Sequence, residues 1–111
     1  MPSPTQRSLK HIREKGYNAE ITEKFNVWSK TRHDTWNMFD ILYFGNQEIG
    51  VVGVQTTSGS NVSARIHKLQ ANPLLKEWTD CGNACYVHGW RKVGKQGKRK
   101  LWELREILVT P

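Results

Sequence analysis

The sequence predicts an α/β (α+β) domain built on one mixed five-stranded sheet flanked by two main helices, in the order α-β-β-β-α-β-β. Three observations carry that expectation. A capped helix signal opens the chain at Ser3-Pro4, and a second follows the turn Ser58-Gly59-Ser60-Asn61. Short apolar segments bounded by turn residues occupy the intervals between and after them. With 111 residues, 37% of them hydrophobic, and five Trp, three Tyr and three Phe, the chain can fill one core but not two. A single domain over residues 1–111 is expected.

The first helix spans about 4–15. Ser3 is a suitable N-cap, Pro4 suits the first helical position, and Gln6 completes a capping box. Leu9 and Ile12 form the inward stripe, and Gly16 stands where a left-handed residue ends the helix. Residues 17–25 alternate as a strand, with Glu23 in step with Tyr17, Ala19, Ile21 and Phe25. Residues 26–37 mix Trp28, Lys30, Arg32, His33, Asp34 and Trp36 without a period and read as a loop over the strand ends. Residues 38–44 form the second strand, Gly45-Asn46-Gln47-Glu48 a hairpin turn, and residues 49–57 the third strand. Apolar residues on both faces of that third strand argue for a central, doubly covered position.

A helix from about Val62 carries Ala64, Ile66 and Leu69, is interrupted at Pro73, and resumes over 74–79. Residues 84–91 and 101–109 are the last two strands, with His88, Tyr86 and Trp90 on a sheet surface. No apolar run approaches a membrane span, and Met-Pro-Ser-Pro-Thr-Gln lacks the apolar core of a signal peptide, so a cytoplasmic protein is expected. Cys81 and Cys85 have no second pair to complete a zinc site and are expected as reduced, partly buried thiols.

The net charge is +7 and unevenly placed. Arg91, Lys92, Lys95, Lys98, Arg99 and Lys100 fall within ten residues flanked by Trp90 and Trp102. A solvated loop would have this composition; so would a nucleic-acid contact, which the pI near 9.7 and the flanking tryptophans favour. Against this basic background, polar residues interrupt three strand-like segments: Glu23, Asp40 within Met-Phe-Asp-Ile-Leu-Tyr-Phe, and Gln55 after Ile-Gly-Val-Val-Gly-Val. A carboxylate withdrawn from water protonates unless something compensates it, and a bound cation is one such partner. Facing residues on adjacent strands lie about 5 Å apart, which suits Asp40 and Gln55 as oxygen ligands if the hairpin closes at 45–47.

On these residues the chain resembles the PD-(D/E)XK nuclease superfamily, the restriction-endonuclease-like fold, and is most similar to small Holliday-junction-resolvase-like proteins of phages and bacteria. The resemblance runs through Ser-Pro-Thr-Gln-Arg-Ser-Leu, Phe-Asp-Ile-Leu, Val-Gln-Thr-Thr-Ser-Gly-Ser, Ser-Ala-Arg-Ile-His-Lys and Val-His-Gly-Trp-Arg-Lys. It implies a Mg²⁺- or Mn²⁺-dependent DNA endonuclease, a homodimer, in a bacterial or phage-infected cell. Asp40 takes the place of the motif aspartate, Gln55 that of the second acid, Thr57 that of the catalytic lysine, and Gln6 that of a helix glutamate. Lys68 or Arg65, from the following helix, would then supply the missing cation, and Glu23 a further ligand. Arg32, His33, Arg65 and the basic cluster at 91–100 would hold DNA, with Trp28 or Trp36 gripping its backbone. Plain alternatives stand beside these: a capped carboxylate at Asp40, a buried amide at Gln55, an ion pair of Glu23 with Arg32, and a solvent-facing Lys68. At the level of the whole chain, a nucleic-acid-binding module without catalysis and a small interaction protein are the competing readings.

Overall fold

The structure, a computed structural model describing residues 2–94 and 101–111, opens with helix α1 (Pro4–Glu14). The Ser3 hydroxyl accepts the Gln6 N–H at 3.2 Å, as the capping signal requires, and Gly16 adopts φ +91° just beyond the helix. Strand β1 (Asn18–Ile21) follows, then a separate hairpin of β2 (Lys24–Asn26) and β3 (Thr31–His33). Strands β4 (Ile41–Phe44) and β5 (Val52–Ser58) come next. A 3₁₀ turn (Gly59–Asn61), α2 (Val62–Gln70) and α3 (Leu74–Asp80) lead to β6 (Ala84–Val93) and β7 (Leu101–Leu108).

The main sheet has five strands in the order β1-β4-β5-β6-β7. All its pairings are antiparallel except β5–β6, which is parallel. A parallel pair cannot be closed by a tight turn, and α2 and α3 supply the crossover. The chain is therefore α+β on a mixed five-stranded sheet, with β5 central as its doubly apolar sequence indicates. Three helices flank the sheet rather than two, because the second helical segment divides at Asn72-Pro73. Leu9, Ile12, Ala19, Ile41, Tyr43 and Val54 form one apolar cluster under α1. Met38, Phe39, Val62, Leu69, Leu75, Cys85, Val87 and Val109 form the other, under α2 and α3. Among the described residues no helix is long and apolar enough to cross a membrane.

The structure also departs from the sequence-based expectations along the strands, at His88 and at the cysteines. The second strand starts at Ile41 rather than 38, and the third at Val52 rather than 49. The strand expected over 17–25 breaks after Ile21. The Thr22 and Glu23 amides both turn to the Asp40 carbonyl, at 2.8 and 3.4 Å, just where the ladder with β4 ends. The aperiodic stretch 26–37 is not all loop, since Thr31–His33 pairs with Lys24–Asn26. His88 is not a sheet-surface residue: α1 covers that face, and the imidazole is fully buried against Ser8. Finally, the two free cysteines divide, Cys81 being exposed and Cys85 buried in the core, where burial pushes its thiol up to about 12.

Candidate functional site

Asp40 lies at the entrance to β4, and the register Ile41↔Val54, Leu42↔Gly53 carries it to Gln55 on β5. Its own N–H donates to the Val54 carbonyl at 2.8 Å. Its Oδ2 accepts three groups of β5: the Thr56 N–H at 2.7 Å, the Thr56 hydroxyl at 3.0 Å and the Gln55 amide at 2.8 Å. Thr56 Oγ1 in turn lies 2.6 Å from Thr5 Oγ1, which ties α1 to the same point.

A second carboxylate comes from Asp34, one residue beyond β3. The chain from Thr35 to Met38 reverses through a tight turn closed by Met38 N–H to Thr35 O at 3.0 Å. Trp36 and Asn37 both have positive φ, +53° and +59°, the backbone of a type I′ turn. That conformation is costly for Trp36, by roughly 1–3 kcal/mol. Its ring is held at 5.7 Å from Trp78 and 6.4 Å from Phe39, and its carbonyl accepts the Asn72 side-chain amide at 3.1 Å. The Thr35 hydroxyl donates to Thr22 O at 2.8 Å and draws the segment after β1 onto the same knot. Glu23 follows directly, its carboxylate 3.3 Å from Arg32 and its side chain only 14% exposed.

The result is a group of three carboxylates from three separate segments. One oxygen each from Glu23, Asp34 and Asp40 lie within 4.8 Å of one another. They line a cavity of about 350 Å³ together with Ser3, Thr5, Arg32, Gln55, Thr57 and Arg65. A larger groove of 710 Å³ beside β1 and β4 holds no comparable cluster; its one carboxylate, Glu20, is 3.6 Å from Arg13.

Electrostatics distinguish the members. Asp40 is 4% exposed, and burial, reinforced by the neighbouring Asp34 carboxyl, pushes its pKa up to about 7 against the opposing hydrogen bonds from Thr56 and Gln55. Burial also raises Asp34, but hydrogen bonds from the Asp40 carboxyl, Gln55 and Lys68 outweigh it and hold Asp34 below its ordinary value. The two carboxyls are therefore pushed apart, Asp40 toward the form that keeps its proton and Asp34 toward the anion. A hard divalent cation fits this donor set, which is all oxygen, and would replace that proton.

Each residue expected at the site from sequence has a definite place. Lys68 is not solvent-facing: its ammonium reaches from α2 to Asp34 Oδ2 at 3.1 Å and Gln55 Oε1 at 3.2 Å. Gln55 is not turned as an oxygen ligand. Its NH₂ donates to both Asp34 and Asp40, at 3.0 and 2.8 Å, because two acceptors lie on one side of the amide and an ammonium on the other. Thr57 is buried in the cavity wall, and Arg65 is half-buried there one helical turn before Lys68. Gln6 points away into a groove with Leu9 and Lys10; Thr5 takes the inward position. Arg32 faces the cavity, whereas His33 bonds Thr31 Oγ1 at 3.1 Å on the other face of the hairpin. Arg91 is paired with Glu103 at 3.0 Å, and the Lys92 ammonium lies 5.3 Å from the Trp102 ring. Lys95, Lys98, Arg99 and Lys100 lie outside the described residues.

From sequence Asp34 falls in the aperiodic stretch 26–37 and outside the expected ligand set of Glu23, Asp40 and Gln55. The available signal was its position six residues before Asp40; the turn at Trp36-Asn37 is what folds it back. No protein-family model, curated protein or solved structure matches this chain.

Proposed function

We propose that this chain is a divalent-metal-dependent DNA endonuclease on a restriction-endonuclease-like, PD-(D/E)XK scaffold. One observation carries the reading: the Glu23, Asp34 and Asp40 carboxylates converge in an open cavity, and the Lys68 ammonium pairs with one of them, Asp34, at 3.1 Å. Glu23, Asp34 and Asp40 would hold Mg²⁺ or Mn²⁺, and that ion would polarise the phosphodiester and acidify a water. Lys68 takes the part that Thr57 cannot, placing a positive charge where negative charge develops on the phosphate. Arg65 and Arg32, both lining the cavity, hold the neighbouring phosphates. Thr56 fixes the Asp40 carboxylate through its backbone and hydroxyl, and Gln55 spaces the two aspartates. By the same family likeness the working form is a homodimer in the cytoplasm, one copy for each strand cut.

The test is hydrolysis of a panel of linear and branched DNAs in Mg²⁺ or Mn²⁺. Wild-type protein is expected to cleave at least one form, Asp40→Ala to lose cleavage, and Lys68→Ala to lose cleavage while still binding Mn²⁺. Cleavage by Asp40→Ala at the wild-type rate would falsify the site.

Gln55 favours a second reading, a nucleic-acid-binding module without catalysis, because its amide already bridges the aspartates where an acid and a metal are expected. Calorimetry separates the two. Salt-sensitive DNA binding with no heat of Mn²⁺ binding, with or without DNA, supports the module.

A further inference from the structure

The hairpin of β2 and β3 stands apart from the rest of the fold. Its strands pair only with each other, and every residue from Lys24 to His33 is exposed. A lone two-stranded hairpin is marginally stable in water, and a partner laid against this one would add to its stability. Its tip is preorganised: Asn26 Oδ1 accepts the N–H groups of Trp28 and Ser29 at 2.9 and 3.3 Å, and Lys30 takes φ +55°. The Trp28 side chain at that tip is 93% exposed, and Phe25 is 58% exposed. Phe25 lies opposite Arg32 in the register, and strand alternation places both on the face that continues to Glu23 and Asp34. Between Lys24 and His33 the chain carries Lys24, Lys30 and Arg32 and no acidic residue.

Exposed aromatic rings set among cations match a nucleic acid that offers both phosphates and free base faces. A continuous duplex offers the phosphates alone, because its bases are stacked on one another. We propose that this arm selects DNA with unpaired bases beside the point of cleavage, Trp28 and Phe25 stacking on those bases while Lys24, Lys30 and Arg32 hold the flanking phosphates. The inference rests on the nuclease reading and narrows its substrate to single-stranded or gapped DNA.

The experiment is fluorescence anisotropy in EDTA with three labelled DNAs: a single strand, the matching duplex, and the same duplex carrying a short gap. Trp28→Ala should weaken binding to the single strand and the gapped duplex about tenfold or more and leave the intact duplex within about twofold. Trp28→Phe should retain most of the affinity. Because the ring meets solvent, Trp28→Ala should fold with an unchanged thermal midpoint. Equal losses on all three DNAs, or no loss on any, overturns the inference. So does a wild-type dimer that Trp28→Ala converts to monomer by light scattering without any change in DNA preference, since the arm would then be seated on a second copy. The two readings fail separately. Duplex cleavage in Mn²⁺ with no discrimination by Trp28 removes the arm's role and keeps the nuclease. Discrimination by Trp28 without cleavage of any DNA does the reverse.

Discussion

Asp40 accepts three hydrogen bonds on one oxygen, yet its pKa rises to about 7, because burial and the adjacent Asp34 outweigh them. The sign of its effect on stability follows. A carboxyl whose folded pKa lies above its ordinary 3.8 contributes stability that is fully present below that value and is lost as pH rises through about 7. In EDTA the wild-type protein should therefore lose thermal stability between about pH 5 and about pH 8 through this group. Asp40→Asn cannot ionise, and its melting temperature near pH 8 in EDTA should exceed that of wild type. If Asp40 holds Mn²⁺ as proposed, that ion should stabilise wild type and not this variant, because the metal needs the anion. Stabilisation by a substitution that removes the charged acceptor of three hydrogen bonds follows from the burial of that charge. Parallel melting curves of the two proteins against pH, with and without Mn²⁺, test both halves.

At the scale of elements, β5 is the strand on which the site depends, and Gly53 is its tightest point. A Cβ at Gly53 would enter the ring of Phe39, which is fully buried and immediately precedes Asp40. Gly53→Ala should destabilise the fold by about 1–3 kcal/mol in urea unfolding. It should also weaken Mn²⁺ binding by calorimetry, since Phe39 cannot move without moving Asp40. Stability lost with Mn²⁺ affinity unchanged would show that the Asp40 backbone is uncoupled from the ring. The elements around this point were largely legible in the sequence. The α1 cap, the turn at 45–48 and the helix after Asn61 are local signals, whereas the Asp40–Gln55 register is not. A hairpin closed at 45–48 would set Asp40 opposite Gly53, and the connection between β4 and β5 in fact runs over 45–51. The arm and Asp34 were not legible. Lys24–His33 is exposed on both faces and has no apolar period to read, and Asp34 reaches the site only through a left-handed turn at a tryptophan. His88 shows the complementary limit: alternation assigns a residue to a face of the sheet, but which face a helix covers is decided by docking.

The molecule as a whole is two apolar clusters on opposite faces of one sheet, and its cooperativity depends on what joins α1 to the strands. Beyond the apolar contacts under β1, β4 and β5, α1 is fixed to β6 and β7 by a buried polar relay. The Trp90 indole N–H donates to Ser8 Oγ at 2.8 Å, Ser8 Oγ lies 3.0 Å from His88 Nδ1, and His88 Nε2 lies 2.8 Å from Glu106 Oε2. The Ser8 hydroxyl, which accepts from the indole, can donate to His88 Nδ1, and His88 Nε2 faces the Glu106 carboxylate at ion-pair distance. Ser8 is fully buried, so Ser8→Ala would strip both the indole and the imidazole of a partner that water cannot replace. It should lower stability by about 1–3 kcal/mol. Glu106 gives the relay a pH signature of opposite sign to that of Asp40. The His88 hydrogen bond, against the opposing effect of burial, holds Glu106 below its ordinary 4.5. Its contribution is therefore present above 4.5 and lost as pH falls through the lower folded value. Glu106→Gln should flatten the acid limb of the stability curve and leave the fall between about pH 5 and about pH 8, which belongs to Asp40, unchanged. Urea midpoints for wild type and Glu106→Gln at acid and alkaline pH decide it: parallel curves across the whole range would mean that the Glu106 end of the relay contributes no proton linkage.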